Sequence, residues 1–372
     1  MCFYMAVVVY APALALAQVT GLNVHISGSL ICFVCIFYTT LGGMKAVLWT
    51  DALQTIVMYG STLFIVIKGA IDEGGFSHVW EVSTRGNRTE LFNWDPDPRV
   101  RHTFWSLVFG GYFVWIAIYG VNQAQVQRYL CVKTKTMAIR ALWINCIGFV
   151  VLILTCAFGG LVIYTKYADC DPVSSKLVSK ADQILPFFVM DALGEFKGLP
   201  GLFVAGIFSG ALSTISSGMN SLAAITLEDI IRSVNPNISE RTATITSKAL
   251  SLFYGLLTFF LVFVAERMGD IVSAALGIYG LIGGPLLGVF TLGMFFPHAN
   301  SFGAIVGTLV GLSLTLWIGI GFQIATHSGQ IVFDKLPVNT CNFTQNPFLE
   351  QTSWANESFT DFPIAEALVE NE

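Results

Sequence analysis

Apolar residues in this chain come in long unbroken blocks and do not alternate with polar ones. The blocks lie at 3–19, 24–42, 50–69, 103–123, 143–165, 199–227, 245–266, 270–297 and 302–322. Each approaches or exceeds the roughly 20 helical residues needed to cross a hydrocarbon core of about 30 Å. A membrane admits only structures that satisfy their own backbone, and continuous blocks predict helices where a barrel would show a two-residue alternation. The pattern therefore predicts an all-α polytopic membrane protein with about nine transmembrane helices. Polar stretches at 70–102 and 166–198 read as two long loops. The chain divides into a transmembrane core over 1–322 and an extracellular tail over 323–372.

Composition agrees. Of 372 residues, 54% are hydrophobic and 12% charged, against about 25% charged in a soluble domain. A net charge of −5 supplies no basic surface for nucleic acid; the surroundings implied are a lipid bilayer, and no oligomeric state is implied. Cys2, Cys32, Cys35, Cys146 and Cys156 fall within apolar blocks or at their edge. Cys32 and Cys35 have a redox spacing, but inside a span they read as small apolar groups. Cys170 and Cys341 lie in the polar segments and form a candidate disulfide. The five histidines show no ligand spacing, and no nucleophile elbow, zinc-protease helix or phosphate loop is present. The expectation is a protein that is neither an enzyme nor driven by ATP, and that needs no cofactor.

Orientation rests mainly on glycosylation sequons. Counted through nine spans, Asn87, Asn342 and Asn356 fall on one side, taken as outside, and Asn237 on the other. The cationic residues are less decisive. Only 8 of 19 Lys and Arg fall on the assigned inner side, although the 127–140 cluster (which includes Arg128) has the short-loop character that the positive-inside rule favours.

One block carries unusual chemistry. In FSGALSTISSGMNSLAAITLED, 208–229, seven Ser, Thr and Asn residues between 209 and 221 interrupt an otherwise apolar helix. Positions three and four apart share a helix face, so Gly206, Gly210, Ser213, Thr214 and Ser217 form one stripe, which Asn220 and Ser221 extend. Two readings stand. Small residues at four-residue spacing let helices pack closely, with hydroxyls bonding back to carbonyls. Alternatively, two hydroxyls and the Gly210 carbonyl offer three neutral oxygens to a dehydrated sodium ion, whereas a carboxylate pair would favour a divalent ion. Elsewhere, Thr50-Asp51 reads as an N-cap with its carboxylate near the positive helix end. Trp115 and Tyr119 are spaced either as core or as the wall of a solute cavity.

The stripe helix, together with YAPALALAQVTGLN (10–23), FYTTLGGMKAVLWTDALQTIVM (37–58), FVWIAIYGVNQAQVQRYL (113–130) and GGPLLGVFTLGMFFPHAN (283–300), resembles the sodium/solute symporter family. Within it the chain is similar to the branch of the sodium-coupled monocarboxylate, multivitamin and iodide transporters. The resemblance covers about 1–325. It implies a partial LeuT-like inverted-repeat helical fold in which discontinuous helices bind ions at mid-membrane. It implies sodium ligation at Gly210, Ser213 and Thr214, assistance to sodium from Asp51 and Gln54, and a Tyr4 that faces the cavity. For the solute it implies contacts from Trp115, Tyr119, Val272, Ser273 and Leu276. Some relatives have glutamine in place of Ser273, which leaves the substrate open.

The expected function is secondary-active, sodium-coupled symport of a small organic anion, monocarboxylate-like, at the plasma membrane, with sodium as the coupling ion. Iodide or a vitamin carboxylate such as biotin or pantothenate is the alternative, and so is a non-transporting scaffold or sensor on the same fold. No Arg or Lys inside a span is evident for a carboxylate, which leaves a helix terminus or the sodium itself to hold it. The chain is expected to begin within the third helix of the family core and to lack the first, broken one, so that alone it would not complete a sodium site.

Overall fold

In a computed structural model, residues 1–328 are described apart from 91, 98, 99, 101, 195, 197 and 267–270. Helices are the regular structure among the described residues, which contain no strand. In chain order the helices are α1 (Cys2–Thr20), α2 (Val24–Gly43), α3 (Ala46–Asp72), α4 (Phe76–Arg85), α5 (Ser106–Val121), α6 (Gln123–Leu130), α7 (Lys135–Tyr167), α8 (Ile184–Leu193), α9 (Leu199–Val234), α10 (Glu240–Ala265), α11 (Ile271–Phe295) and α12 (Ser301–His327). Eight of them are long and apolar enough to cross a membrane, and α5 and α6 pass the same test together as a bent pair, for up to nine. The chain is an all-α, multi-pass membrane protein.

Local chemistry sets the breaks between helices. Gly21 ends α1 in the left-handed region, φ 72°, with its N–H donating to Ala17 O at 2.8 Å, a common helix stop. Asn23 starts α2 by accepting from His25 N at 2.8 Å. Between α2 and α3 the backbone turns at Gly43, φ 60° and ψ −165°, a region open to glycine and closed to nearly everything else.

Three expectations need correction. The apolar block at 103–123, expected to end in a loop, corresponds to α5 but turns by 50° and continues as α6 to Leu130. Asn122 causes the break: its backbone is extended, ψ 121°, and its Oδ1 accepts from Ala124 N at 3.0 Å, capping a new helix. A π-helical stretch, Ala117–Val121, leads into it. Second, the two long polar segments are not wholly irregular, since they hold α4 and α8. Third, Thr50-Asp51 is not an N-cap. The helix begins at Ala46, and Thr50 Oγ1 bonds backward to Val47 O at 2.9 Å, which leaves Asp51 in the helix interior.

The core has two main parts. Met5, Val9, Ile31, Ala211, Ile215 and Val262 join α1, α2, α9 and α10. Ile65, Val79, Val162, Phe187, Phe188 and Phe203 join α3, α4, α7, α8 and α9. Helix α9 runs through both parts, so its polar stripe is enclosed by neighbours. By contrast α12 presents Trp317, Ile318 and Leu309 outward, as a helix solvated by lipid tails does.

Candidate functional site

The stripe on α9 divides into three parts with different partners. Its upper part packs. A methyl group added at Gly206 would overlap Ser61 Oγ on α3, and one at Gly210 would lie 3.0 Å from Met58 Sδ. The close-packing reading therefore holds for both glycines.

The middle part bonds within the helix. Thr214 Oγ1 donates to Gly210 O at 3.0 Å and Ser216 Oγ to Ser213 O at 3.1 Å. A hydroxyl that gives its proton to the carbonyl one turn back keeps its lone pairs outward. Gly210 O and Thr214 Oγ1 thus form an adjacent pair of neutral oxygens, the arrangement a sodium ion takes. The geometry here is compatible with both readings of the stripe.

The lower part faces charge. Ser217 Oγ lies 3.5 Å from Asp51 Oδ2, and the Ser213 hydroxyl reaches toward the same carboxylate. Arg128 Nη2 donates to Asp51 Oδ2 at 2.6 Å and to Ser217 Oγ at 2.7 Å. Asp51 Oδ1 and Gln54 Oε1 are buried without a hydrogen-bond partner among the described residues. They stand three positions apart on one face of α3. Tyr38 on α2 donates to Leu212 O at 2.9 Å, immediately before Ser213, and also approaches Gln54 and Ser216. Among the described residues no group of three or more His, Cys, Asp or Glu is placed to hold a metal ion. The oxygens gathered here are hydroxyls, carbonyls, an amide and one carboxylate, a set suited to a monovalent hard cation rather than a transition metal.

Tyr4 belongs to a second cluster. Its ring meets Tyr279 of α11 edge-on at 4.7 Å, and Tyr279 approaches Asn122 at the break between α5 and α6. Trp115 and Tyr119 point to α7: Trp115 packs edge-on against Phe149 at 4.8 Å, and Tyr119 Oη donates to Asn145 Oδ1 at 2.8 Å. Neither makes a described contact with the stripe. Leu276 lies half-exposed on α11; Val272 and Ser273 lie in the same helix, but their side chains are outside the described residues. Asn87 is exposed in the left-handed conformation, φ 55°, just beyond α4. Cys170 is disulfide-bonded. Cys341, Asn342 and Asn356 lie outside the described residues.

Sequence reasoning missed Arg128 and Tyr279. Arg128 was counted as a loop cation, whereas it sits in the last turn of a helix, α6, that follows α5 across the bend. One available signal was Asn122 followed three residues later by Gln125, a helix-start pattern that places 123–130 on a helix.

Comparison with known proteins adds the following. The profile described as the sodium:solute symporter family matches residues 1–311. The chain is 44% identical over 342 residues to the Xenopus laevis protein named sodium-coupled monocarboxylate transporter 1, covering 92% of this chain and 55% of that one. It is 46% identical over 351 residues to the Danio rerio sodium-coupled monocarboxylate transporter 2, covering 94% and 56%. It is 47% identical over 334 residues to the Oryctolagus cuniculus sodium-dependent multivitamin transporter, covering 88% and 52%. The chain spans about half the length of the curated relatives it matches.

Proposed function

The chain belongs to the sodium:solute symporter family, a family of transporters and not of enzymes, and from that premise we propose that it serves sodium-coupled uptake of a small carboxylate across the plasma membrane. The observation that carries this reading is the convergence of Ser213 and Ser217 of α9 on Asp51 of α3, one turn from the Gly210–Thr214 oxygen pair. Neutral oxygens greet the ion as it sheds water. The single carboxylate draws it onward without the grip that two carboxylates would exert.

The solute site in this reading is the break between α5 and α6, supported by Asn122, Tyr4 and Tyr279 meeting there. Discontinuous helices are where transporters of this kind expose backbone dipoles to ligands. A monocarboxylate is favoured because two of the relatives just described carry that substrate in their names. The vitamin-transporting relative at similar identity points to the same anionic group on a larger body. Sodium entry supplies about 2.3 kcal/mol per charge per 100 mV, enough for one or two ions to concentrate a solute strongly.

The test is labelled uptake in oocytes. This chain is placed in the full-length frame of the Xenopus laevis relative, which supplies the segments beyond the matched 342 residues. Lactate, iodide and biotin are compared with sodium and with choline. The expected result is sodium-dependent lactate uptake. The combined Ser213→Ala and Thr214→Ala change removes two hydroxyls at about 1 kcal/mol each, raising half-saturation for sodium about thirtyfold. An unchanged half-saturation for sodium in that variant refutes the site. Iodide transported in place of lactate refutes the carboxylate class, and biotin in place of lactate refutes the small size of the solute.

A further inference from the structure

Arg128 closes the candidate site, yet nothing in the sodium reading uses it. It comes from α6, the short helix beyond the break, while the oxygens come from α3 and α9. A single nitrogen, Nη2, takes Asp51 Oδ2 at 2.6 Å and Ser217 Oγ at 2.7 Å. The arginine side chain is 32% exposed and the Asp51 side chain 13%. The guanidinium therefore lies at the edge of the bundle and the carboxylate beneath it. Beside them Asp51 Oδ1 and Gln54 Oε1 remain buried and unpartnered among the described residues.

We propose that Arg128 is a tethered cation that holds the Asp51–Ser217 oxygens in the absence of sodium and that sodium must displace. This deepens the sodium-coupled reading above and rests on it. A carboxylate buried without a counter-charge is strongly unfavourable, so an empty site with no guanidinium would draw in any cation and leak. With Arg128 in place the empty site is neutralised. When sodium takes the carboxylate, Arg128 is released, and with it the end of α6. That helix is a rigid rod of eight residues, about 12 Å long. Its other end is capped by Asn122, which approaches Tyr279, itself packed on Tyr4. Ion occupancy at Asp51 is thereby passed to the solute end of the same short helix.

A pair that merely clamps α6 to α3 predicts the opposite sign. Loss of a clamp weakens sodium binding; loss of a competitor strengthens it. Voltage clamp of oocytes expressing the full-length chimera reads both half-saturation and leak. Arg128→Gln is expected to lower half-saturation for sodium about fivefold, the worth of a partly exposed ion pair, and to open a sodium current without solute. Arg128→Lys keeps the charge and is expected to keep the leak closed. Half-saturation that is unchanged or raised in Arg128→Gln, or a Lys variant that leaks like Gln, overturns the proposal. A measurement on the unaltered protein covers a variant that fails to reach the surface. Phenylglyoxal labelling of Arg128, read by mass spectrometry, is expected to rise with sodium and not with choline; labelling unchanged at saturating sodium also overturns it. A parent chimera that transports without sodium brings down the sodium reading itself. That outcome is distinct from a sodium-dependent parent whose Arg128→Gln variant behaves normally.

Discussion

Gly206→Ala tests whether the α3–α9 contact is as close as the structure makes it. The added methyl would overlap Ser61 Oγ and lie 2.9 Å from Ser61 Cβ. Rotating the serine removes the first clash but not the second. Ser61 is 2% exposed and its hydroxyl already donates to Met58 O at 3.0 Å, so it has little room to yield. Helix α3 must move, at the about 1–3 kcal/mol typical of overpacking. At Gly210 the new methyl would meet Met58 Sδ at 3.0 Å, the far end of a flexible side chain, and the cost falls below about 1 kcal/mol. Alanine's better helix propensity offsets up to about 1 kcal/mol at both sites. Gly210→Ala should therefore be near neutral and Gly206→Ala destabilising by about 1–2 kcal/mol. The assay is the thermal midpoint of the 372-residue chain in detergent, followed by fluorescence-detected size exclusion, with Ser61→Gly expected to restore Gly206→Ala. A Gly206→Ala midpoint at or above the parent's, or one above that of Gly210→Ala, refutes the packing argument.

Three further outcomes follow from single contacts. Tyr38→Phe removes the bond to Leu212 O at 2.9 Å, about 1 kcal/mol, and should raise half-saturation for sodium about fivefold in the full-length chimera; an unchanged value would detach Tyr38 from the site. Gly43→Ala forces a side chain onto φ 60°, ψ −165° at about 1–3 kcal/mol, and should reduce the yield of monodisperse protein, whereas Gly60→Ala, with open space around it, should not. Asn122→Ala strips the cap from α6, where Oδ1 accepts from Ala124 N at 3.0 Å, and should cost about 0.5–2 kcal/mol in thermal stability; Asn122→Ser should recover most of it, and equal midpoints for all three would argue against a capped break.

The helices were legible because lipid leaves a chain so few choices. Apolar blocks such as 24–42 and 302–322 correspond to α2 and α12 within a few residues, since a span must satisfy its backbone internally. The bend at Asn122 was not read because the apolar block simply ends there, and hydropathy does not distinguish a chain that leaves the helix from one that turns and caps a new one. Trp115 and Tyr119 illustrate a second limit. Helical spacing fixes that they share a side of α5, but not that the side is α7, which depends on Phe149 and Asn145. Arg128 was hidden for the same reason. It pairs with a carboxylate 77 positions away, and no local period carries that.

The two readings of the α9 stripe are not rivals once the register is considered. Helices α3 and α9 run antiparallel. From Met58 to Asp51 is seven residues toward the start of α3, and from Gly210 to Ser217 is seven toward the end of α9. The Gly210–Met58 contact and the Ser217–Asp51 approach are therefore the same interface read two turns apart. The small residues bring the helix axes close enough for a hydroxyl to reach a buried carboxylate. A bulkier side chain at 206 or 210 would move α3 outward as a rod and carry Asp51 with it. On this interface packing is the precondition of ion chemistry. Any substitution that widens the upper contact should weaken sodium at the lower one, even though it touches none of the oxygens.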